Sequence, residues 1–405
     1  MTTIIQINVT ANWGSHGKIA EDIGKLVIDR GWRSIIAYGR YSNPSKSEVV
    51  RIGNDNSIRW HALESRLFDN HGRSSRIATR KFIREIESVQ PDLIHLHNIH
   101  GYFLNYQILF DYLSHKNIPI VWTLHDCWPF TGHCAYFDYV GCGRWKYGCK
   151  PPCPGLKEYP KSILFDSSSK NYTQKKQIFN SVNNLTIVPV SQWLADLVAQ
   201  SFLNKYPIHV IKNGIDINTF CPLGSEDVRH KYNIGDNRYV LGVASIWERR
   251  KGFDDFIKIV HKIPNNIKVV LVGLDKEQLE IAKNNGIIGI PRTENVKELV
   301  ALYSGADIFL NLTYEDNYPT TNLEAIACGT PVLTYNTGGS PESIDPNSGW
   351  VINKGGIDDV VDIIKSSQRK SERTIDLCVN RAKECFDNNK CFSEYIQLYD
   401  RLLKR

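Results

Sequence analysis

Short apolar runs alternate with longer stretches of helical spacing from one end of the chain to the other. In the first half TTIIQINV, SIIAYG, DLIHLH, PIVWTLH and LTIVPV read as strands, and residues 17–29 and 104–114 carry apolar positions three and four apart. In the second half YVLGVAS, IKVVLVG, GIIGI, ADIFLNL and PVLTYN read as strands, with helices beginning near Gly252, Lys276, Asn295 and Pro319. β-Branched runs separated by helices predict parallel sheets covered on both faces. Two rounds of the alternation predict an α/β protein of two doubly wound domains facing across a deep cleft. A sixth strand-like run in LNKYPIHVIKNGID, at 203–216, leads into an Asn-Gly turn and marks the break. The expected domains are 1–207, 208–388 and a terminal amphipathic helix over 389–405 that docks back on the first. Residues 127–168 are rich in Cys, Pro, Gly and aromatics without periodicity, and read as an insertion in the first domain. Ligands of such sheets bind beyond the carboxyl ends of the strands.

At 405 residues the length favours two domains, and 42% hydrophobic with 23% charged residues is ordinary for a globular protein. The N-terminal segment lacks a basic region followed by an apolar run, and no segment reaches the roughly 18 apolar residues of a membrane span. A cytoplasmic location is expected, so the ten cysteines read as thiols or metal ligands rather than disulfides. The net charge of +6 is mild, but NHGRSSRIATRKFIRE gathers Arg73, Arg76, Arg80 and Arg84 on one expected helix face. Such a face is a solvated surface, or a patch for an anionic membrane or a pyrophosphate-linked lipid. No aromatic-basic platform accompanies it, which argues against nucleic acid.

Three stretches converge on a nucleoside diphosphate. In LTYEDNYPTTNLEAIACGTPVLTYNTGGSPE (312–342), Pro319 suits a first helical turn, and the N–H groups of Thr320, Thr321 and Asn322 then point at an anion ahead of the helix. Glu324, one turn in, can accept from ribose hydroxyls, and Asp316 lies on the approach loop. In SIWERRKGFDD (245–255), Arg249, Arg250 and Lys251 precede a helix start, where they hold an anion between two helix ends or make an ordinary exposed turn. In NWGSHGKIAEDIG (12–24), Gly14 and Gly17 allow close backbone approach at a strand-to-helix turn, or make a plain tight turn. Cys134, Cys142, Cys149 and Cys153 have a spacing able to chelate one tetrahedral zinc ion, with free thiols as the alternative.

These motifs resemble the retaining family-4 glycosyltransferases of GT-B architecture, over nearly the whole chain. The family's E-x7-E pair corresponds to Asp316 and Glu324, with Asp in the first place, and NGID at 213–216 matches its interdomain segment. The likeness is strongest over 310–342 and 119–155, where it points to bacterial exopolysaccharide, O-antigen and colanic-acid-type assembly. It implies that Lys251 binds the donor diphosphate, Glu324 the ribose, and that Asp316 lies by the donor sugar. It also implies that Gly14 to Gly17 abut the phosphates and that His125, in VWTLHDCWPF, contacts the transferred sugar. Asp126 beside it would orient the ring or cap the next turn, while His97 and His100 read as buried or turn residues. The family's Arg five or six residues before the Lys is replaced by Ile246 or Ser245, leaving Arg249 or Arg250 to supply its charge.

The implied reaction moves a hexosyl unit from a UDP-, GDP- or dTDP-sugar to a lipid-linked oligosaccharide at the cytoplasmic face of the inner membrane. No D-x-D triplet is present, and no cofactor is expected for catalysis: cations and helix-terminal amides would stabilise the leaving diphosphate. The competing readings are a sugar-nucleotide 2-epimerase, which would need no acceptor, and a non-catalytic carbohydrate-binding relative, which would have lost the donor-site residues.

Overall fold

The computed structural model describes residues 1–404. The chain divides into two compact units, residues 1–212 with 392–405, and residues 213–391. The break thus falls at Lys212/Asn213, a few residues past the expected 207. The strand-like run 208–211 does not become a strand. Ile208 makes a single bridge to Ile187, and the chain then runs on as irregular backbone.

The first unit holds six parallel strands: β1 (Thr3–Ala11), β2 (Arg33–Ser42), β3 (Glu48–Arg51), β4 (Leu93–Leu96), β5 (Ile120–Leu124) and β6 (Leu185–Pro189). Their order is β3-β2-β1-β4-β5-β6. The second unit repeats the plan with β7 (Arg238–Val243), β8 (Ile267–Val272), β9 (Ile288–Ile290), β10 (Ile308–Asn311), β11 (Val332–Tyr335) and β12 (Gly349–Ile352), ordered β12-β11-β10-β7-β8-β9. The helices that matter below are α1 (Gly14–Asp29), α2 (Asp55–Phe68), α3 (Arg76–Val89), α4 (Phe253–Val260), α5 (Thr320–Ala327) and α6 (Asn388–Leu403).

The continuous apolar runs form the central strands, because both faces of a parallel sheet are covered. Every residue of β1, β4, β5 and β6 is buried. The two strands that periodicity did not reveal, β3 and β12, are four-residue edges with exposed side chains and no buried run to announce them. All strands stay parallel, but the order in which successive strands are added reverses between β1 and β4 in one sheet and between β7 and β10 in the other, and crevices at such switch points are where doubly wound sheets bind ligands. Helix α6 starts in the second unit, where Asn388 packs on Gly214, and from Phe392 belongs to the first. There Tyr395 shares a hydrogen bond with Thr123, and Tyr399 meets His95 Nδ1 at 2.5 Å. Between β5 and the helix starting at Ser168 the chain forms only two 3-10 turns.

Candidate functional site

The switch point of the second sheet brings the loop after β7 against the loop after β10. Arg249–Lys251 form a 3-10 turn that ends at Gly252, which starts α4 with φ +77°. A Cβ on Gly252 would lie 2.2 Å from the Leu312 carbonyl oxygen, so only glycine lets the loops touch. Contact is then made by main chain. Tyr314 N–H donates to the Arg250 carbonyl at 2.7 Å, and Arg250 Nη1 donates to the Glu315 carbonyl at 3.0 Å. The result sets Lys251 Nζ 2.6 Å from Asp316 Oδ2. A second glycine closes the other side: Gly338 has φ +55°, and its Cβ would sit 1.7 Å from the Asp316 carbonyl oxygen.

Burial works against the charge of Asp316. The adjacent Lys251 ammonium, its hydrogen bond and Arg250 outweigh that cost and hold the carboxyl below its ordinary range. Arg250 is spent differently from Lys251, since its guanidinium also pairs with Glu248 at 3.0 Å and serves to brace the loop. Helix α5 begins one residue later than expected, with Pro319 as its cap residue and no side-chain cap. The Asn322 N–H is taken by the Pro319 carbonyl at 3.2 Å, which corrects the reading of three free amides. Thr320 and Thr321 keep N–H groups with no intrahelical acceptor. Glu324 is gripped from a neighbouring helix by Tyr303, whose hydroxyl donates at 3.0 Å. Burial raises the Glu324 pKa, and the hydrogen bonds from Tyr303 and Thr320 only partly offset it.

Three residues here escaped sequence reasoning. Tyr303 lies 21 positions before Glu324 with nothing in the sequence to link them. Thr337 and Ser340, in the loop around Gly338, bury hydroxyl oxygens that have no hydrogen-bond partner. A Thr-Gly-Gly-Ser turn after a strand was their only available signal.

In the first unit, His125 follows β5 and is held by a defined relay. Gln6 Nε2 donates to the Ala20 carbonyl at 2.8 Å, so Gln6 Oε1 accepts from His97 Nε2 at 2.9 Å. His97 Nδ1 therefore carries the lone pair and accepts from His125 Nε2 at 3.2 Å. His125 keeps an unprotonated Nδ1, and burial followed by its histidine neighbours holds it neutral, well below its ordinary pKa. His97 is thus buried, as expected, and positions His125. Asp126 does not orient that ring: it caps the Trp128 N–H at 2.9 Å and pairs with His100 at 2.8 Å. Gly14 stands at φ +67° with open space around it. Gly17 lies inside α1, where a Cβ would meet Thr10 Oγ1 at 2.5 Å, so a glycine there lets the helix pack closely on the end of β1.

Six histidines of this unit, His16, His61, His71, His95, His97 and His125, are held below the ordinary 6.5, in each case chiefly by burial. For His16 and His61 the values fall to about 4 and about 3. The unfolded chain binds protons below 6.5 that the folded chain does not, so stability falls as pH falls through that range. Each such group contributes up to about 1.4 kcal/mol per pH unit. Thermal melts from pH 7 to pH 5 should therefore show a steep drop in melting temperature, reduced in His→Gln variants at these positions. A flat profile would mean that the histidines titrate normally.

Comparison with known proteins gives the family and the fold. The family model "Glycosyltransferase Family 4" matches residues 17–219, and "Glycosyl transferases group 1" matches 224–380. The chain belongs to glycosyltransferase family 4. It is 23% identical over 422 residues to WcaC of Escherichia coli (strain K12), a glycosyl transferase provisionally named for colanic acid biosynthesis, covering 98% of this chain and 100% of that one. It is 25% identical over 248 residues to the N,N'-diacetylbacillosaminyl-diphospho-undecaprenol alpha-1,3-N-acetylgalactosaminyltransferase of Campylobacter jejuni, covering 56% of this chain and 65% of that one. Among solved structures, Anabaena Alr3699/HepE in complex with UDP-glucose superposes with a TM-score of 0.68 at 16% identity, over 99% of this chain and 100% of that one, a likeness of GT-B fold.

Two further expectations for this transferase change on the structure. Arg73 is not on the predicted helix face, since α3 begins at Arg76, although Arg73, Arg76 and Arg80 do line one cavity. Arg84 lies exposed further along α3, outside that lining. The four cysteines of the expected zinc set also line one pocket. Cys149 Sγ accepts the Gly132 N–H at 3.2 Å, and Cys153, hydrogen-bonded to Cys134, has its thiol drawn down to about 7. Among the described residues, however, no three His, Cys, Asp or Glu side chains are arranged to hold a metal ion. The quartet is therefore gathered but is not a formed tetrahedral site. No helix among those residues is long and apolar enough to cross a membrane.

Proposed function

We propose that this transferase moves a hexosyl unit, with retention and without a catalytic metal, from a nucleoside-diphosphate sugar to a lipid-linked oligosaccharide in bacterial surface-polysaccharide assembly. The protein would work at the cytoplasmic face of the inner membrane as a peripheral enzyme. The observation that carries the reading is the Lys251–Asp316 contact at 2.6 Å on the switch point of the second sheet, beside the uncapped start of α5. Lys251 and the amides of Thr320 and Thr321 suit a departing diphosphate, and Glu324 suits the ribose. The buried hydroxyls of Thr337 and Ser340 add two further donors to this end of the sheet. The C. jejuni relative is named for a diphospho-undecaprenol acceptor, which supports the acceptor class.

In the transfer, the bond between the anomeric carbon and the β-phosphate oxygen breaks, and the electron pair leaves with the diphosphate. The acceptor hydroxyl attacks the oxocarbenium-like centre from the same face and gives its proton to the departing phosphate oxygen. A double displacement would need a free carboxylate beneath the anomeric carbon. Asp316 is tied to an ammonium and depressed in basicity, which favours the front-side route. His125, whose Nδ1 can accept but not donate, is assigned to a sugar hydroxyl rather than to proton delivery.

A thermal-shift panel of UDP-, GDP- and dTDP-sugars tests the donor, because a ligand at a hundred times its Kd stabilises by about 2.7 kcal/mol. One base should stabilise above the others. Turnover of that donor with a lipid-linked acceptor in EDTA should give a product of unchanged anomeric configuration. An inverted product, loss of activity in EDTA, or donor conversion without acceptor would each defeat the reading.

A further inference from the structure

The first unit contains a second cavity, of about 830 Å³, where the end of α2 and the start of α3 meet the segment around Phe165. Arg73, Arg76, Arg80 and Lys170 line it, and the described residues offer none of the four an ion-pair partner. Arg73 is half-buried, and its Nε is buried without a hydrogen bond. The one carboxylate in the lining, Glu64, is already engaged by Ser74 Oγ and by Trp60 Nε1. Ser75, the residue before α3, is left-handed at φ 55° and caps no N–H with its side chain. Four cations against one occupied acid make the cavity strongly positive.

The rim has the opposite character. Trp60, Phe68, Ile77 and Phe165 are all exposed, Ile77 at 83%, and Phe68 stacks on Phe165 at 5.7 Å between ring centroids. Ile163 and Leu164 extend the apolar surface at 61% and 65% exposure. Large apolar side chains left in water beside unpaired cations indicate a ligand with both properties. A flat bilayer surface would not fill a concavity of this volume, and a bare anion would leave the rim uncovered.

We infer that this cavity binds the head of a lipid diphosphate: its phosphates against Arg73, Arg76, Arg80 and Lys170, its apolar chain over Trp60, Phe68, Ile77 and Phe165. The inference rests on the proposed lipid-linked acceptor and gives that acceptor's anchor a place in the fold.

The test titrates the full-length protein with farnesyl diphosphate, inorganic pyrophosphate and phosphatidylglycerol vesicles, following Trp fluorescence and heat. Farnesyl diphosphate should bind well above pyrophosphate. Arg73→Gln/Arg76→Gln/Arg80→Gln should weaken it at least about 30-fold, as expected for lost charge-assisted contacts. Ile77→Ser/Phe165→Ser should weaken it about tenfold through lost apolar burial while sparing pyrophosphate. Arg76→Gln and Arg80→Gln singly, at exposed helix positions, guard against a folding artefact and should each cost several-fold. Equal binding of farnesyl diphosphate to all variants, equal affinity for pyrophosphate, or binding to vesicles alone would overturn the site. Stabilisation by nucleoside diphosphate, read on the same variants, belongs to the second unit. Its loss in wild type would defeat the transferase reading, whereas its persistence without lipid-diphosphate binding would defeat only the cavity.

Discussion

Lys251→Ala is expected to lower kcat/KM by about 10²- to 10³-fold, the range seen when one preorganised donor to a developing negative charge is removed. The same variant should bind nucleoside diphosphate far more weakly. Asp316→Asn should behave differently. The Asp316 carboxylate sits on Lys251 at 2.6 Å and competes with any phosphate for that ammonium. Removing its charge leaves Lys251 unopposed, so Asp316→Asn should bind nucleoside diphosphate as tightly as wild type or tighter, while turnover falls. Calorimetry with the diphosphate and initial rates with the complete donor separate the two effects. If Asp316→Asn loses diphosphate affinity in step with Lys251→Ala, the pair is a structural brace and the assignment fails.

That pair was legible before the fold was known, because each half lies in a motif with its own physical logic: cations ahead of a helix and an acid ahead of a proline-led helix. Their contact was not legible. It depends on Gly252 and Gly338, whose missing Cβ atoms let three loops touch, and a glycine's packing partner leaves no mark on spacing. The same limit hid the relay behind His125. Gln6 reads as one polar position in an apolar strand, yet its amide sets the tautomer of His97 and through it that of His125. Continuous apolar runs gave away the central strands, whereas β3 and β12 went unseen because an exposed four-residue edge has neither a run nor a full alternation. The arginine cluster shows a finer failure. Helical spacing joined Arg73 to Arg84, but the left-handed Ser75 breaks that face, and α2 and the Phe165 segment decide which arginines line a cavity.

Glu324→Ala should abolish detectable transfer, and the decisive question is whether it does so through the ribose or through the fold. The carboxylate accepts from Tyr303 at 3.0 Å, so the residue also has a bracing role within its own unit. Tyr303→Phe removes that brace alone and should cost about 1 kcal/mol of stability with less than a tenfold loss of donor affinity. Glu324→Gln keeps the side-chain volume and an acceptor oxygen but loses the charge, and should weaken donor binding by about 10²-fold if two ribose hydroxyls donate to the carboxylate. A nucleotide lacking the 2′- and 3′-hydroxyls closes the cycle: wild type should discriminate strongly against it, and Glu324→Ala should not. The raised Glu324 pKa adds a pH signature, since protonation removes the charged acceptor at a pH above the ordinary 4.5. Donor affinity should therefore fall on the acid side earlier than a normal glutamate would dictate, and Glu324→Gln should be insensitive over that range. Equal discrimination by wild type and Glu324→Ala would place the ribose elsewhere.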